Sequence, residues 1–304
     1  MKILLCTKND VFGAEILNWL LPRLQRHELT VLLSDKTRAE ENSIPDLVVE
    51  KILERELPLN RLFPLIDAQP LCGELLTFQA LAQRHGVSIE KVHNINDEAS
   101  ERRIRDFAPD VIVSARFSLI FKANTLQIPR WGTYNIHPGA LPGYAGLFAP
   151  MRGFLNGDTQ LGCTLHQVDE GIDTGHIHSV SWLPAVPARS VFGHIGDLYR
   201  LGLVSLMSLL DGLEQGVHPT LTPQDRSAFH YYRLPGVGDF AELRRRGVEP
   251  VLLPDYCRFI QRFWPAGMTA QAPEFFEPAG IEALLGQSTA GAGRTTFELA
   301  AAQG

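Results

Sequence analysis

Apolar residues fall into two rhythms along the first two thirds of this chain. Lys2–Thr7 is a compact apolar run of the kind a strand needs when both of its faces are buried, and Glu28–Ser34 repeats it. Between them Ile16, Leu17, Leu20, Leu21 and Leu24 recur at helical spacing. This predicts a helix over Glu15–Leu24 that Pro22 kinks or cuts short. Helices near Gly73–Arg84 and Glu98–Phe107, strands at Asp110–Ser114 and Ile177–Leu183, and a long helix over Val191–Leu213 continue the alternation. Strand and helix taken in turn predict an α/β fold, a doubly wound and mostly parallel sheet. Lys36 to Cys72 mixes charges, prolines and short apolar pieces, and reads as an insertion in which the pattern places no helix.

The texture changes at Gly216, where proline, glycine and aromatic residues take over in HPTLTPQD, FHYYRLPGVGDF and DYCRFIQRFW. The chain therefore divides into a domain over 1–215 and a smaller C-terminal extension over 216–304. The aromatic cluster Phe229, Tyr231, Tyr232, Phe240, Phe259, Phe263 and Trp264 reads as the core of that extension, with part of an acceptor pocket as the alternative. The Gly/Ala/Thr/Gln-rich end, roughly the last 20 residues, is expected to fray.

Composition narrows the function. The 304 residues are 45% hydrophobic and 20% charged, an ordinary globular balance. A formal net charge of −6 argues against a nucleic acid as the main partner, because phosphate contacts need a positive surface. The arginine runs Arg102–Arg105 and Arg244–Arg246 read as solvated helix faces. The opening MKILLC run is too short for a signal peptide, and no stretch of about 18 apolar residues implies a membrane span. Cys6, Cys72, Cys163 and Cys257 are scattered without a C-x-x-C pair, which fits free thiols and a cytoplasmic setting. Oligomerisation stays open. Thr7 to Gly13, after the first strand, lacks the G-x-G-x-x-G of dinucleotide-binding enzymes.

The chemistry-bearing segment runs from Trp131. A strand carrying Asn135 and His137 breaks at Pro138 into a Pro/Gly-rich loop, at the kind of strand end where doubly wound sheets bind ligands. Two residues apart in an extended segment, the two side chains leave the same face. Later comes the acidic loop Asp169-Glu-Gly-Ile-Asp173-Thr-Gly175. An Asn amide can donate to a developing oxyanion, an imidazole can move a proton, and a carboxylate can orient that imidazole. This kit suits acyl transfer to an attacking amine, and no serine or cysteine nucleophile in an elbow motif accompanies it. His166, His176 and His178 could suggest zinc, but no thiolate stands at ligand spacing and the nearby carboxylates belong to the acidic loop, so no metal is expected.

The blocks Arg116–Phe121, Asn135–Pro138, Leu141–Tyr144, Leu155–Asp158 and Asp169–Gly175 resemble, in order and spacing, the catalytic domain of the formyltransferase family. That family includes the methionyl-tRNA, glycinamide ribonucleotide, sugar-nucleotide and hydroxyornithine formyltransferases. The resemblance implies the Rossmann-like formyltransferase fold and catalytic roles for Asn135, His137 and Asp173. It implies 10-formyltetrahydrofolate as the formyl donor. The donor's pterin would be held by main-chain groups of Phe117, Ser118, Leu119 and Ile120 and of Asp169, Glu170 and Ile172. Gly139 stands where the tRNA and ribonucleotide enzymes commonly carry Ser, and nothing after 216 resembles a tRNA-binding barrel. Three readings follow: an N-formyltransferase acting on a small-molecule amine such as an amino-sugar nucleotide or a hydroxyornithine, a divergent methionyl-tRNA formyltransferase, and a folate-binding module without turnover.

Overall fold

A computed structural model of the chain describes residues 1–266 and 272–290. The fraying expected at the C-terminus lies, beyond 290, outside the described residues. The elements in chain order are β1 (Lys2–Lys8), α1 (Val11–Leu20), β2 (Glu28–Ser34), α2 (Pro45–Lys51), α3 (Phe63–Asp67), α4 (Phe78–His85), β3 (Ser88–Val92), α5 (Glu98–Phe107), β4 (Val111–Ala115), α6 (Ala123–Leu126), β5 (Thr133–His137), β6 (Ala145–Gly146), α7 (Ala149–Asn156), β7 (Gln160–Gln167), β8 (Ile177–Pro184), α8 (Val191–Glu214), β9 (Tyr231–Tyr232), α9 (Val237–Arg245), α10 (Leu253–Gln261) and α11 (Pro278–Ala290).

Seven strands form one sheet in the order β3-β2-β1-β4-β5-β7-β8. The first five are parallel, and β7 and β8 continue the sheet antiparallel. Ile3, Leu4, Leu5 and Cys6 of β1 are buried on both faces, which is why that strand reads as a continuous apolar run. Strand order reverses between β1 and β4, so the carboxyl ends of β1, β4 and β5 open side by side at the switch point. Among the described residues no helix is long and apolar enough to cross a membrane.

Two expected elements differ. Helix α1 starts at Val11, four residues before the expected start at Glu15, because Asp10 caps it by accepting from the Gly13 N–H at 2.9 Å. It ends at Leu20, cut short ahead of Pro22 and not kinked by it. The segment from Lys36 to Cys72 is largely helical: α2 continues through two wide, π-type turns, Ile52–Glu56 and Pro58–Leu62, into α3. Leu57 N–H reaches back to Ile52 O and Phe63 N–H to Pro58 O, five residues each, and these widened turns blur the 3.6-residue rhythm.

This helical segment buries Leu53, Leu57, Leu62 and Phe63 against Val11 and Phe12 of α1 and against Tyr256, Ile260, Phe263 and Phe275 from the C-terminal part. Phe240 and Leu243 of α9 join the main core on the sheet. Of the aromatic cluster, Phe240, Phe263 and Trp264 are thus buried, whereas Tyr231 is exposed at the edge of a cavity.

Helix α8 fixes the strands that carry the candidate site. Ser190 caps it, and Gly202 brings its backbone onto β5 and β7. A Cβ at Gly202 would lie 2.9 Å from Cys163 Sγ and closer still to Ile136. Gly202→Val should therefore overpack this contact and cost about 1–3 kcal/mol. Guanidinium unfolding checks it: an unchanged midpoint would show that α8 does not pack this closely on β5.

Candidate active site

The carboxyl ends of β4 and β5, the loop 146–150, the acidic loop and the helical segment 36–55 enclose one cavity of about 330 Å³. Asn135, His137 and Asp173 all line it, as do Phe117, Ser118, Leu119, Ile120 and Ile172. Asp169 and Glu170 do not. Both are exposed, and Asp169 turns back on its own loop, where its Oδ1 accepts from Gly171 N–H at 3.0 Å and from Thr174 Oγ1 at 2.6 Å.

Antiparallel pairing of β5 with β7 sets Asn135 directly opposite His166. The His166 ring is buried; its Nδ1 lies 2.8 Å from the Gln167 carbonyl and must donate to it. Its Nε2 lies 3.2 Å from Asn135 Nδ2, on the side of the ring that faces Asp173. One face of the Asn135 amide is thereby fixed and the rest is left to the cavity. His137 Nε2 donates to the Tyr144 carbonyl at 2.6 Å, which turns Nδ1 toward Asp173 Oδ2, 3.6 Å away. Asp173 Oδ1 lies 3.5 Å from His166 Nε2. The carboxylate thus sits between two imidazoles, with Gly146 N–H donating to Oδ2 at 2.8 Å.

Burial by itself would push the Asp173 carboxyl up. The neighbouring His137, the hydrogen bond and charge of His166 and the Gly146 amide together outweigh it and hold the group well below the usual carboxylate range. The sequence offers His166 only as a zinc candidate, because strand register is not written in the chain. The other two members of that trio do not join it: His176 is exposed and His178 Nδ1 lies 3.2 Å from Ser179 Oγ. Among the described residues no group of three or more His, Cys, Asp or Glu side chains is placed to hold a metal.

Backbone strain collects here. Among the described residues four non-glycine residues have a left-handed φ, and three of them, Arg116, Phe148 and Asp173, line the cavity. The cost is met for Arg116 by a buried ion-pair network. Its Nε donates to the wholly buried Asp10 at 2.7 Å and its Nη2 to Glu54, while the guanidinium covers the Phe12 ring at 4.9 Å. Burial would lower the Arg116 pKa, but Asp10 and Glu54 keep it charged. Beside this network burial raises the carboxyl of Glu50, and the charges of Glu54 and Asp46 raise it further. The network ties the ends of β1 and β4 to the helical segment that walls the cavity.

At Gly139 a Cβ would lie 2.6 Å from His137 Nε2 and 2.7 Å from the Tyr144 carbonyl. Glycine at this position is what lets the imidazole lie against that carbonyl.

Because the folded pKa of Asp173 is depressed, the ionised group contributes stability that is fully present above its unfolded value of about 3.9. That contribution is lost as pH falls through the lower folded value. The stability gap between the native protein and Asp173→Asn should therefore shrink progressively as pH falls below about 5. Denaturant titrations at several pH values check this; a gap that widens toward acid would mean that the carboxyl is not held ionised.

A family model for formyl transferases matches residues 32–192, just over half of the chain and all of the cavity wall from Lys36 to Val191. The methionyl-tRNA formyltransferase of Halorhodospira halophila is 35% identical over 146 residues, covering 47% of this chain and 46% of its own length. That of Lachnospira eligens is 32% identical over 240 residues, covering 73% of each. Apart from the latter, the chain spans about half the length of the curated relatives it matches. A 4-N formyltransferase from Francisella tularensis superposes with a TM-score of 0.49 at 15% identity, over 79% of this chain and 77% of that one. On the family match and the Lachnospira relative, this chain belongs to the formyl transferase family.

Proposed function

We propose that the chain moves a formyl group from 10-formyltetrahydrofolate to the amine of a small molecule. The observation that carries this reading is the convergence of Asn135, His137 and Asp173 on one small, partly apolar cavity. Its volume of about 330 Å³ lies at the small end of the usual range for small-molecule sites. A pterin needs a flat apolar slot with a few polar groups at its edge. Phe117, Leu119, Ile120 and Ile172 supply the apolar walls, and Ser118 Oγ is a buried hydroxyl with no partner among the described residues, ready for a ligand's polar edge. Lys36 and Arg38 at the rim suit the anionic tail of a folate.

The donor supplies an activated formyl carbon. Around it, the Asn135 amide donates to the negative charge that develops on the formyl oxygen, His137 takes the proton from the attacking amine and passes it to N10 of the departing tetrahydrofolate as the C–N10 bond breaks, and Asp173 holds and charge-stabilises the imidazole. An amine attacks directly, so no covalent enzyme nucleophile is required. The four unpaired thiols fit a reducing, cytoplasmic setting.

A small acceptor is favoured over tRNA by the charge arrangement. Of the arginines that could make a basic patch, Arg152 is paired with Asp239, Arg189 with Asp197, Arg244 with Asp46 and Glu249, and Arg245 and Arg246 with Glu242, while the Arg130 guanidinium lies over the Trp131 ring. The second reading, a methionyl-tRNA formyltransferase, rests on the names of the relatives.

Two outcomes are expected. His137→Ala, Asp173→Asn and Asn135→Ala should each lower kcat by at least ~10²-fold while the donor's dissociation constant changes little; near-normal turnover in His137→Ala would remove the mechanism. In a panel of N-hydroxyornithine, an amino-sugar nucleotide and charged initiator methionyl-tRNA, followed by release of tetrahydrofolate, a small amine should turn over with weak salt dependence. Efficient formylation of the tRNA, falling steeply as salt rises, would establish the second reading instead.

A further inference from the structure

The stretch 222–232, outside the sequence blocks that signal formyl transfer, crosses the site as a strap. At one end Thr222 and Ile177 exchange two backbone hydrogen bonds, each 2.8 Å. At the other, β9 lies parallel to β6: Ala145 N–H donates to His230 O at 3.0 Å and Leu147 N–H to Tyr232 O at 2.9 Å. The Tyr144 and Tyr232 rings stack at 5.8 Å, and Gly146 has a left-handed φ where a Cβ would strike the Tyr231 ring. The loop that donates Gly146 N–H to the Asp173 carboxylate is therefore itself held by the strap.

Gln224 reaches from the strap into the acidic loop. Its Nε2 lies 2.8 Å from the Asp173 carbonyl and 2.7 Å from the Gly175 carbonyl. Both partners can only accept, so the amide nitrogen must face them and both of its protons are used. The orientation leaves Oε1 buried with no partner among the described residues, an arrangement that costs free energy and persists where another constraint outweighs it. That constraint is at hand: Asp173 stands at φ 55°, a conformation an aspartate holds only when its surroundings over-determine it. Gln224 clamps the carbonyl on one side of the turn and Gly146 the carboxylate on the other.

We propose that Gln224 is a positioning residue for the candidate site, holding the left-handed turn at Asp173 so that its carboxylate stays between His137 and His166. The groups facing that carboxylate are His137 from β5, His166 from β7 and the Gly146 amide from the strapped loop. Gln224 itself acts only through the backbone, so its removal should loosen the carboxylate without emptying the cavity.

Gln224→Met tests this, because it preserves chain length and removes both donors. Two readouts separate the proposal from the function on which its kinetic arm rests. Carbon-detected NMR titration of the Asp173 carboxyl needs no acceptor: the midpoint should move up toward the ordinary carboxylate range in the variant. With 10-formyltetrahydrofolate and N-hydroxyornithine, kcat should fall about 10- to 10²-fold while the donor KM stays within about threefold. If the native protein does not formylate N-hydroxyornithine, that acceptor is wrong and the titration still decides the proposal. Asp225→Ala controls for strap stability: it cuts the hydrogen bonds to Ser227 N–H and Oγ, 2.9 and 2.7 Å, without touching the acidic loop, and should leave both readouts unchanged. An unmoved titration in Gln224→Met, or the same change in Asp225→Ala, overturns the assignment.

Discussion

A carboxylate buried beside a strand end stays ionised only if positive and hydrogen-bonding groups surround it, and the arrangement at Asp173 follows from that constraint. Two imidazoles and one backbone amide supply the compensation. Each arrives from a different element. His137 comes from the end of a parallel strand, His166 from the antiparallel strand beside it, and Gly146 from a loop paired with the C-terminal part of the chain. The sheet's change from parallel to antiparallel at β7 is thus more than topology. It sets Asn135 across from His166 and lets the β7–β8 connection bring Asp173 back over the same strand end.

A second buried charge cluster performs the matching task on the far wall. Arg116, left-handed at the end of β4, is locked by Asp10 from the α1 cap and Glu54 from the helical segment. Removing either carboxylate would leave an uncompensated charge in a buried setting, a far larger penalty than a surface pair incurs. The two clusters frame the cavity, one at the catalytic candidates and one where helical insertion, sheet and α1 meet. The helices of the C-terminal part pack on that insertion, so the wall is supported from outside as well.

How legible this was depends on the range of the interaction involved. Strand β2 and helix α5 follow local rhythm, and their observed bounds coincide with the expected ones. The start of α1 is set by a cap upstream of the apolar repeat, and the helix from Pro45 hides behind Pro58, Pro64 and two widened turns. Asn135, His137 and Asp173 share a cavity as their motif suggested, whereas the side chains of Asp169 and Glu170, from the same motif, are exposed outside it, Asp169 closing its own turn. His166 and Gln224 carried no local signal. One depends on cross-strand register and the other on a chain that returns about 50 residues later, and neither is contained in a window of sequence.

Formyl transfer at this site requires the donor to present its carbon to Asn135 and His137 within the cavity. A crystal structure with 5-formyltetrahydrofolate bound tests it most directly. The account predicts the pterin between the Phe117–Ile120 segment and Ile172, with the formyl group directed at the Asn135 amide and the His137 ring. A pterin seated elsewhere, or a formyl group turned away from both side chains, would contradict it.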